Sequence, residues 1–572
     1  MVKWSIEFSI SAMPPIKILD FEPDNFTDLY STEIENFKII IKPEMKNNYL
    51  SIKISVESLN TERDCFISLR CTGESELYSF SDVCNKRIVM RQSPHDPSNH
   101  NLSKMIKQPV PMAALKTNDG FYFAVSDTPA SFDNQTTQTF DPQAGYFLIS
   151  SGDNGEQAND EGIDFPYSSH ITKKGVPHTF TLLISRSKAQ SIQSLRQDVF
   201  EVIAEQWGEI SSPYHALAFA TNYMHFRKNE TGYSNHWIIP GIEYANKQYT
   251  RDAFWQSMIL PLAMEQQIYD AVYEERYKYA ENAMLYIIWT ARLKRSGGVP
   301  NIERAKDALK FITQNTIDGC YKTPRSKELQ HGKMMRSWYD ICDFEDDDVI
   351  TYNQGLLATA LFGAQELSLP TSLSIEQSVT AYQNLFNVEK GFFPLSRDKM
   401  AMCVDALVGD LLSIVFFDQP ILPTNMVKLH FDAMNNIART DVGYKVTCDI
   451  TGNYLPPEFY CTDGNIIPDY QHPNKGQYSW GGSYFIYDML ALLTAVAHKV
   501  EGAEEAAYWR TAVEIKIGGT YHENLNTLTK MPGKPNQGWN AAIYALWTIM
   551  MEKGLVSDNY LRKVDKLITA LK

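Results

Sequence analysis

No apolar run in this 572-residue chain approaches the ~20 consecutive residues that a bilayer-crossing helix requires, so a membrane protein is not expected. Positive charge is in short supply too. Lys and Arg number 53 against 68 Asp and Glu, a net charge of −15 with no Lys/Arg cluster, which argues against a nucleic-acid partner. The eight cysteines, at 65, 71, 84, 320, 342, 403, 448 and 461, never form a CxxC pair, and buried free thiols are the plain reading. The twelve histidines include no HExxH and no zinc-spaced His/Cys cluster. A GxSxG elbow, a P-loop and a dinucleotide fingerprint are also missing, so no metal and no cofactor are expected. The acidic "CDFEDDDVI" lacks the alternating oxygens and central Gly of a calcium loop. Its Glu345 to Asp348 read instead as caps for the helix that follows.

What is present is aromatic: Phe, Trp and Tyr make up 12% of a chain otherwise typical of globular proteins. The length exceeds what one small core can organise, so two or more domains are expected. Residues 1 to about 187 alternate, as in "FKIIIKPEMKNNYLSIKISVES", "GFYFAVSD" and "HTFTLLISR". Short β-branched and aromatic runs bounded by Asn, Asp, Gly and Pro predict strands, and many of them without intervening helices predict a β-sandwich. The opening "MVKWSIEFSISAMPPIKILDF" reads as a strand rather than a signal peptide, which points to the cytoplasm.

Near residue 188 the period changes to 3.6. Residues 188–212 read as a helical linker. Residues 213–572 hold about a dozen amphipathic segments without a consensus repeat. Twelve helices in pairs, joined by long loops, predict an (α/α)6 toroid. The fold class expected is therefore a multidomain β + α chain, a β-sandwich followed by a toroid of six hairpins.

The residues that could carry chemistry are carboxylates set among aromatics. In "YTRDAFWQS" the pair Arg251 and Asp252 interrupts an aromatic stretch. Either it is a structural ion pair at a helix start, or it grips sugar hydroxyls in a pocket walled by Trp237, Phe254 and Trp255. Asp340, in "RSWYDICDF", stands beside Trp338 and Tyr339, where partial desolvation raises a carboxyl's pKa and suits a general acid. Glu523 lies in "GGTYHENLN", ahead of "QGWNAAIYALW". A glycosidase needs two such groups, and Asp340 with Glu523 is the pair expected here.

"YTRDAFWQS" resembles the "GRDT" and "WDS" segments of six-hairpin glycoside hydrolases, a group that includes glycogen-debranching glucosidase domains, trehalases and mannosylglycerate hydrolases. "SWYD" resembles their "TWMD", whose Asp is the acid, and "HENLNTLTK…QGWNAAIYAL" is similar to the segment that supplies the base. The resemblance covers roughly residues 213 to 571 through a few short motifs in order. It implies an inverting, exo-acting hydrolase with Asp340 as acid and Glu523 as base. Trp237, Arg251, Asp252, Trp255, Trp338, Asn353, Gln354, Trp480 and Trp539 are then expected to bind a carbohydrate substrate. The chain departs from the family pattern at Leu525 and Thr527, and Asp343 stands as the alternative acid. A disaccharide phosphorylase, a polysaccharide lyase and a non-catalytic glycan-binding protein remain as other readings of the same architecture.

Overall fold

The computed structural model describes residues 2–10, 16–60, 63–73, 77–79, 92–93, 96–100, 110, 112–127, 137–141, 146–150, 171–172, 174–208, 210, 212–227, 237–241, 249–272, 279–323, 336–339, 342, 344–456, 482–518, 521–530, 537–557 and 559–570. The chain divides into two compact units. One comprises Met1–Arg91, Ser98–Lys228 and Gly518–Thr520, the other Gln92–Pro97, Asn229–Ile517 and Tyr521–Lys572. Among the described residues no helix is long and apolar enough to cross a membrane.

The first unit is built on strands β1 (Lys3–Ile10), β2 (Ile16–Phe21), β3 (Tyr30–Ile34), β4 (Phe37–Met45), β5 (Leu50–Ser58), β6 (Arg63–Thr72) and β7 (Leu77–Ser79). It continues with β8 (Met112–Thr117), β9 (Gly120–Ser126), β10 (Thr137–Asp141), β11 (Tyr146–Ser150), β12 (Ile171–Thr172) and β13 (His178–Ser187). They form two antiparallel sheets. One runs β10-β11-β6-β1-β2 with β12 also on β6, and the other runs β3-β4-β5-β13-β9-β8-β7. Period-2 patterning explains both. Along β4, Phe37, Ile39 and Ile41 are buried while Lys42 is exposed, and β5 buries Ile52, Ile54 and Val56 with Lys53 outside. The β3–β4 hairpin closes on Glu35 and Asn36, both with positive φ, as a type I′ turn demands. Trp4, Ile6, Phe8, Ile67 and Leu69 of one sheet share a single core with Ile39, Ile54, Leu182 and Ile184 of the other. Helices α1 (Ile192–Trp207) and α2 (Pro213–His225) belong to this unit, each begun by a serine cap, Ser191 and Ser212. The domain boundary expected at 212 falls between these two helices, which pack on each other.

The second unit is helical. Its elements are α3 (Thr250–Ser257), α4 (Leu262–Ala271), α5 (Asn282–Arg295), α6 (Ile302–Gln314), α7 (Thr351–Glu366), α8 (Ile375–Gln383), α9 (Val408–Phe417) and α10 (Thr424–Ala433). Further on come α11 (Phe485–Ala497), α12 (Ala503–Gly518), α13 (Gly538–Ala541), α14 (Ile543–Glu552) and α15 (Tyr560–Ala570). Packing follows a closed order: α3 on α5, α5 on α7, α7 on α9, α9 on α11, α11 on α13, and α13 back on α3. These six are buried almost all round, whereas α6 buries only Ala305, Ala308, Leu309 and Ile312 on one face. Helices α4, α6 and α8 pack behind α3, α5 and α7.

Two devices hold the buried ring together. Glu265 of α4, buried at 4% exposure, accepts hydrogen bonds from Arg292 and from Trp289 Nε1 (2.7 Å) of α5, and Arg292 also donates to Ser257 (3.0 Å). Between α7 and α9 the contact is backbone on backbone: a Cβ placed on Gly409 would lie 2.2 Å from the carbonyl carbon of Gly355. Thr359 Oγ1 donates to Gly409 O across the same seam (2.6 Å). None of the six described cysteines is in a disulfide, and all but Cys320 are buried.

Neither helix can yield at that seam without repacking the ring. Gly409→Ala is therefore expected to destabilise the protein by at least 1–3 kcal/mol, roughly the cost of overpacking a close-packed core. A thermal midpoint unchanged from the parent would contradict the assigned contact.

Candidate active site

The ring helices share one feature at their starts. The residues preceding α3, α5, α7, α9, α11 and α13 are Tyr249, Glu281, Ile350, Leu407, Tyr484 and Gln537, and none makes a side-chain cap. Each start leaves backbone N–H groups without intrahelical partners and the positive end of a dipole. The side chains of these same starts meet one another.

The meeting place is aromatic on one side. Trp338 stacks on Tyr487 of α11, with centroids 4.1 Å apart and planes 21° apart. It meets Tyr352 of α7 at 6.4 Å and Tyr484 at 5.6 Å, both edge-on. Trp539 of α13 lies 6.1 Å from Tyr484 and 6.1 Å from Tyr487.

Carboxylates form the other side. Asp405 sits in the short 3-10 turn Val404–Leu407 that leads into α9, and it is fully buried. It accepts from Trp338 Nε1 (2.5 Å), from the Tyr339 hydroxyl and from Cys403 Sγ (2.7 Å). Burial pushes its carboxyl up to about 6, and the three donors pull the other way. Glu281 is likewise fully buried and its carboxyl is pushed up to about 7 by desolvation, with Arg251 opposing. Arg251 Nη1 lies 3.2 Å from Glu281 Oε1, its Nε lies 3.5 Å from Asp252 Oδ1, and its guanidinium covers the Tyr279 ring at 5.1 Å. Asp405, Asp252 and Arg251 all act electrostatically on both Tyr352 and Tyr487, and Glu281 acts on Tyr352. The charged and aromatic groups are one cluster.

The two residues of the "RD" pair are thus joined by a partner that sequence reading missed, Glu281. One guanidinium balances two carboxylates there. Phe254 and Trp255 do not wall a pocket beside it: both are buried in the core, Phe254 edge-on to Trp255 (4.9 Å) and to Trp289 (6.0 Å). Gln354 is also framework. Its amide takes a hydrogen bond from Tyr321 N (2.8 Å) and donates to Gly319 O (2.9 Å) and Ser378 O (3.0 Å), which exhausts its donors. Asn353 donates to Arg336 O (2.8 Å) and accepts from Ser337 Oγ (3.2 Å), fixing the chain just ahead of Trp338. Asp348 does not cap α7 either. It takes the backbone N–H of Val349 (2.6 Å) and of Asp398 (3.2 Å). Asp340, Asp343 and Trp480, together with the side chain of Trp237, lie outside the described residues.

Glu523 is half-buried in the segment between α12 and α13. Leu525 of this segment exchanges backbone hydrogen bonds with Ser483 (2.9 and 2.8 Å), next to Tyr484. From α13, Asn540 Nδ2 donates to the carbonyls of His522 (2.5 Å) and Glu523 (2.9 Å), while its Oδ1 accepts from Ile486 N (2.9 Å). One amide side chain therefore ties the Glu523 segment to the starts of α11 and α13. Asp405, Glu281 and the tyrosines carried one sequence signal: a lone acid or Tyr, in apolar company, within a few residues of a helix start.

No protein-family profile matches the sequence, and no curated protein does. Among solved structures the chain is similar to the GH63 mannosylglycerate hydrolase from Thermus thermophilus in complex with Tris. The two share 12% identity at a TM-score of 0.39, over 59% of this chain and 100% of that one. It is also similar to a sialidase (8% identity, TM-score 0.39, over 91% of this chain and 54% of that one). A third is the family GH92 α-mannosidase from Bacteroides thetaiotaomicron (9%, 0.29, over 90% and 70%).

The raised Glu281 carboxyl sets a pH dependence. Folded, it holds its proton up to about 7, against an ordinary 4.5. The cost of ionising it in place is absent below pH 4.5, grows across the interval and is complete above 7. Stability relative to Glu281→Gln should therefore fall as pH rises from 4.5 to 7.5, by on the order of 2–3 kcal/mol. Thermal midpoints of the two proteins across that range test this, and a constant difference would refute it.

Proposed function

We propose that the chain is a glycoside hydrolase, inverting and exo-acting, in which a β-sandwich precedes an (α/α)6 toroid. The closed packing order of α3, α5, α7, α9, α11 and α13 supports the toroid, and the core shared by two antiparallel sheets supports the sandwich. The observation that carries the functional reading is one aromatic and acidic cluster drawn from the starts of the ring helices, with Trp338, Tyr352, Tyr487 and Trp539 beside Asp252, Glu281 and Asp405. A sugar presents an apolar face and a rim of hydroxyls. Trp and Tyr rings suit the face, and carboxylates and a guanidinium suit the rim.

In this reading Asp340 protonates the glycosidic oxygen while Glu523 takes a proton from the water that attacks the anomeric carbon from the opposite face. Inversion requires the two carboxyl groups to stand about 6.5–9.5 Å apart, leaving room for that water. Support comes from the attachments of both segments. Trp338 and Tyr339, which precede Asp340, and the Glu523 segment are each fixed near the start of α11. Trp237, Trp480 and Trp539 would add stacking surface, and Arg251 with Asp252 would take hydroxyls at the reacting sugar. The reaction calls for no cofactor, and the cytoplasm is its proposed place.

The deciding experiment offers aryl glycosides and natural disaccharides to the protein, without phosphate, alongside Asp340→Asn and Glu523→Gln. Sugar release that each substitution lowers by about 1,000-fold or more is expected, since each removes one of two indispensable proton transfers. The released anomer, read by NMR in the first minutes, should be inverted. Turnover that appears only with added phosphate would replace hydrolysis by phosphorolysis. Binding of sugars with no turnover would make the chain a glycan-binding protein.

A further inference from the structure

The residues around Asp340 are held at every described point. Arg336 donates to the Phe344 carbonyl and to Asp346 (2.6 Å), closing the neck of the segment from 336 to 344. Asn353 holds Arg336 O and Ser337 Oγ. Cys342 N–H returns to Tyr339 O (3.1 Å). The side chains of Trp338 and Tyr339, the two residues directly ahead of Asp340, both end on one carboxylate, Asp405. Two consecutive side chains bound to one acceptor hold Trp338 and Tyr339 in place, because neither residue can rotate without breaking its bond.

Asp405 is suited to that task and to no step of the reaction. It is wholly buried, and its Oδ1 and Oδ2 already receive the Tyr339, Cys403 and Trp338 donors. Three of a carboxylate's roughly four lone-pair directions are thereby taken inside the core, which suits Asp405 to holding its donors rather than to exchanging protons with a substrate. Its own mount is firm: Cys403 pairs with Thr447 in a short antiparallel ladder, and Asp405 stands in the turn that opens α9.

We propose that Asp405 is a positioning residue for the general acid: by anchoring Trp338 and Tyr339 it sets the place from which Asp340 reaches the glycosidic oxygen. The inference rests on the glycosidase reading for the identity of the acid, and on the geometry above for the anchoring. Asp405→Asn keeps the size but replaces one acceptor oxygen by an NH2 that faces donors. Tyr339→Phe removes a single donor and leaves the ring, so it serves if the first variant does not fold.

Two measurements on the full-length protein decide the matter. On a cleaved aryl glycoside, Asp405→Asn should lower kcat by about 100-fold, the scale of a 1 Å misplacement, and Tyr339→Phe by about tenfold, with KM within about threefold of the parent in both. In hydrogen exchange followed by mass spectrometry, peptides covering 336–344 should exchange at least about tenfold faster, with those of α7 and α11 unchanged. Unchanged exchange at 336–344 overturns the anchoring. Faster exchange with an unchanged kcat, or a loss confined to KM, overturns the positioning role while leaving the hydrolase reading intact. If the parent cleaves no sugar, the hydrolase reading falls, and the exchange measurement alone upholds or refutes the anchoring.

Discussion

Six helices of the second unit begin beside one cluster of aromatic and acidic side chains, and at none of these starts does the residue preceding the helix cap it with its own side chain. Helix starts of this kind are electropositive before any charged residue is added, because the peptide dipoles of a helix of several turns sum to about half a unit of positive charge there. Asp252, Glu281, Asp405 and Asp488 occupy those starts. Negative side chains are the natural complement of converging dipoles. Here they complement the helix starts and one another's partners at the same time, so one set of side chains answers to both the dipoles and the packing.

The four carboxyls are kept in the interior by different means. Glu281 and Asp252 share the charge of Arg251. Asp488 rests on Arg510 (2.6 Å) and on Ser483 (2.6 Å), beside Gly443, whose φ of +148° and crowded surroundings leave no room for a side chain. Asp405 takes its described hydrogen bonds from neutral donors. A hydrogen bond to an ionised carboxylate is charge-assisted even when its donor is neutral, and is worth roughly twice the ~1 kcal/mol of a bond between neutral groups. Asp405 is held by the number of its bonds rather than by an opposite charge, and three bonds from fixed directions leave its geometry well defined.

Much of this was legible in the chain. Period-2 runs such as "FKIIIKPEM" became strands where expected, since one face of each sheet had to be covered. The helical segments were equally plain, because continuous apolar character marks a helix enclosed by others. Legibility failed at the site. Trp255 and Gln354 sit one or two turns along helices whose starts reach the cluster, and which side of a buried helix faces inward depends on crossing geometry that an almost uniformly apolar surface does not encode. Glu281 and Asp405 escaped notice for a related reason. Their significance lies in partners 30 and 67 residues away, Arg251 and Trp338, and no local pattern announces such a pairing.

The closure of the ring by α13 against α3 joins residues nearly 300 positions apart in sequence. The contributions to the cluster come from different helices, so no short fragment of the chain contains more than a part of it. During synthesis the segments that carry Arg251, Glu281, Tyr352 and Asp405 emerge first and wait for their partners across the ring. The cluster lacks Trp539 until α13 has left the ribosome. Completeness of the cluster, on this packing order, depends on helices from both ends of the second unit.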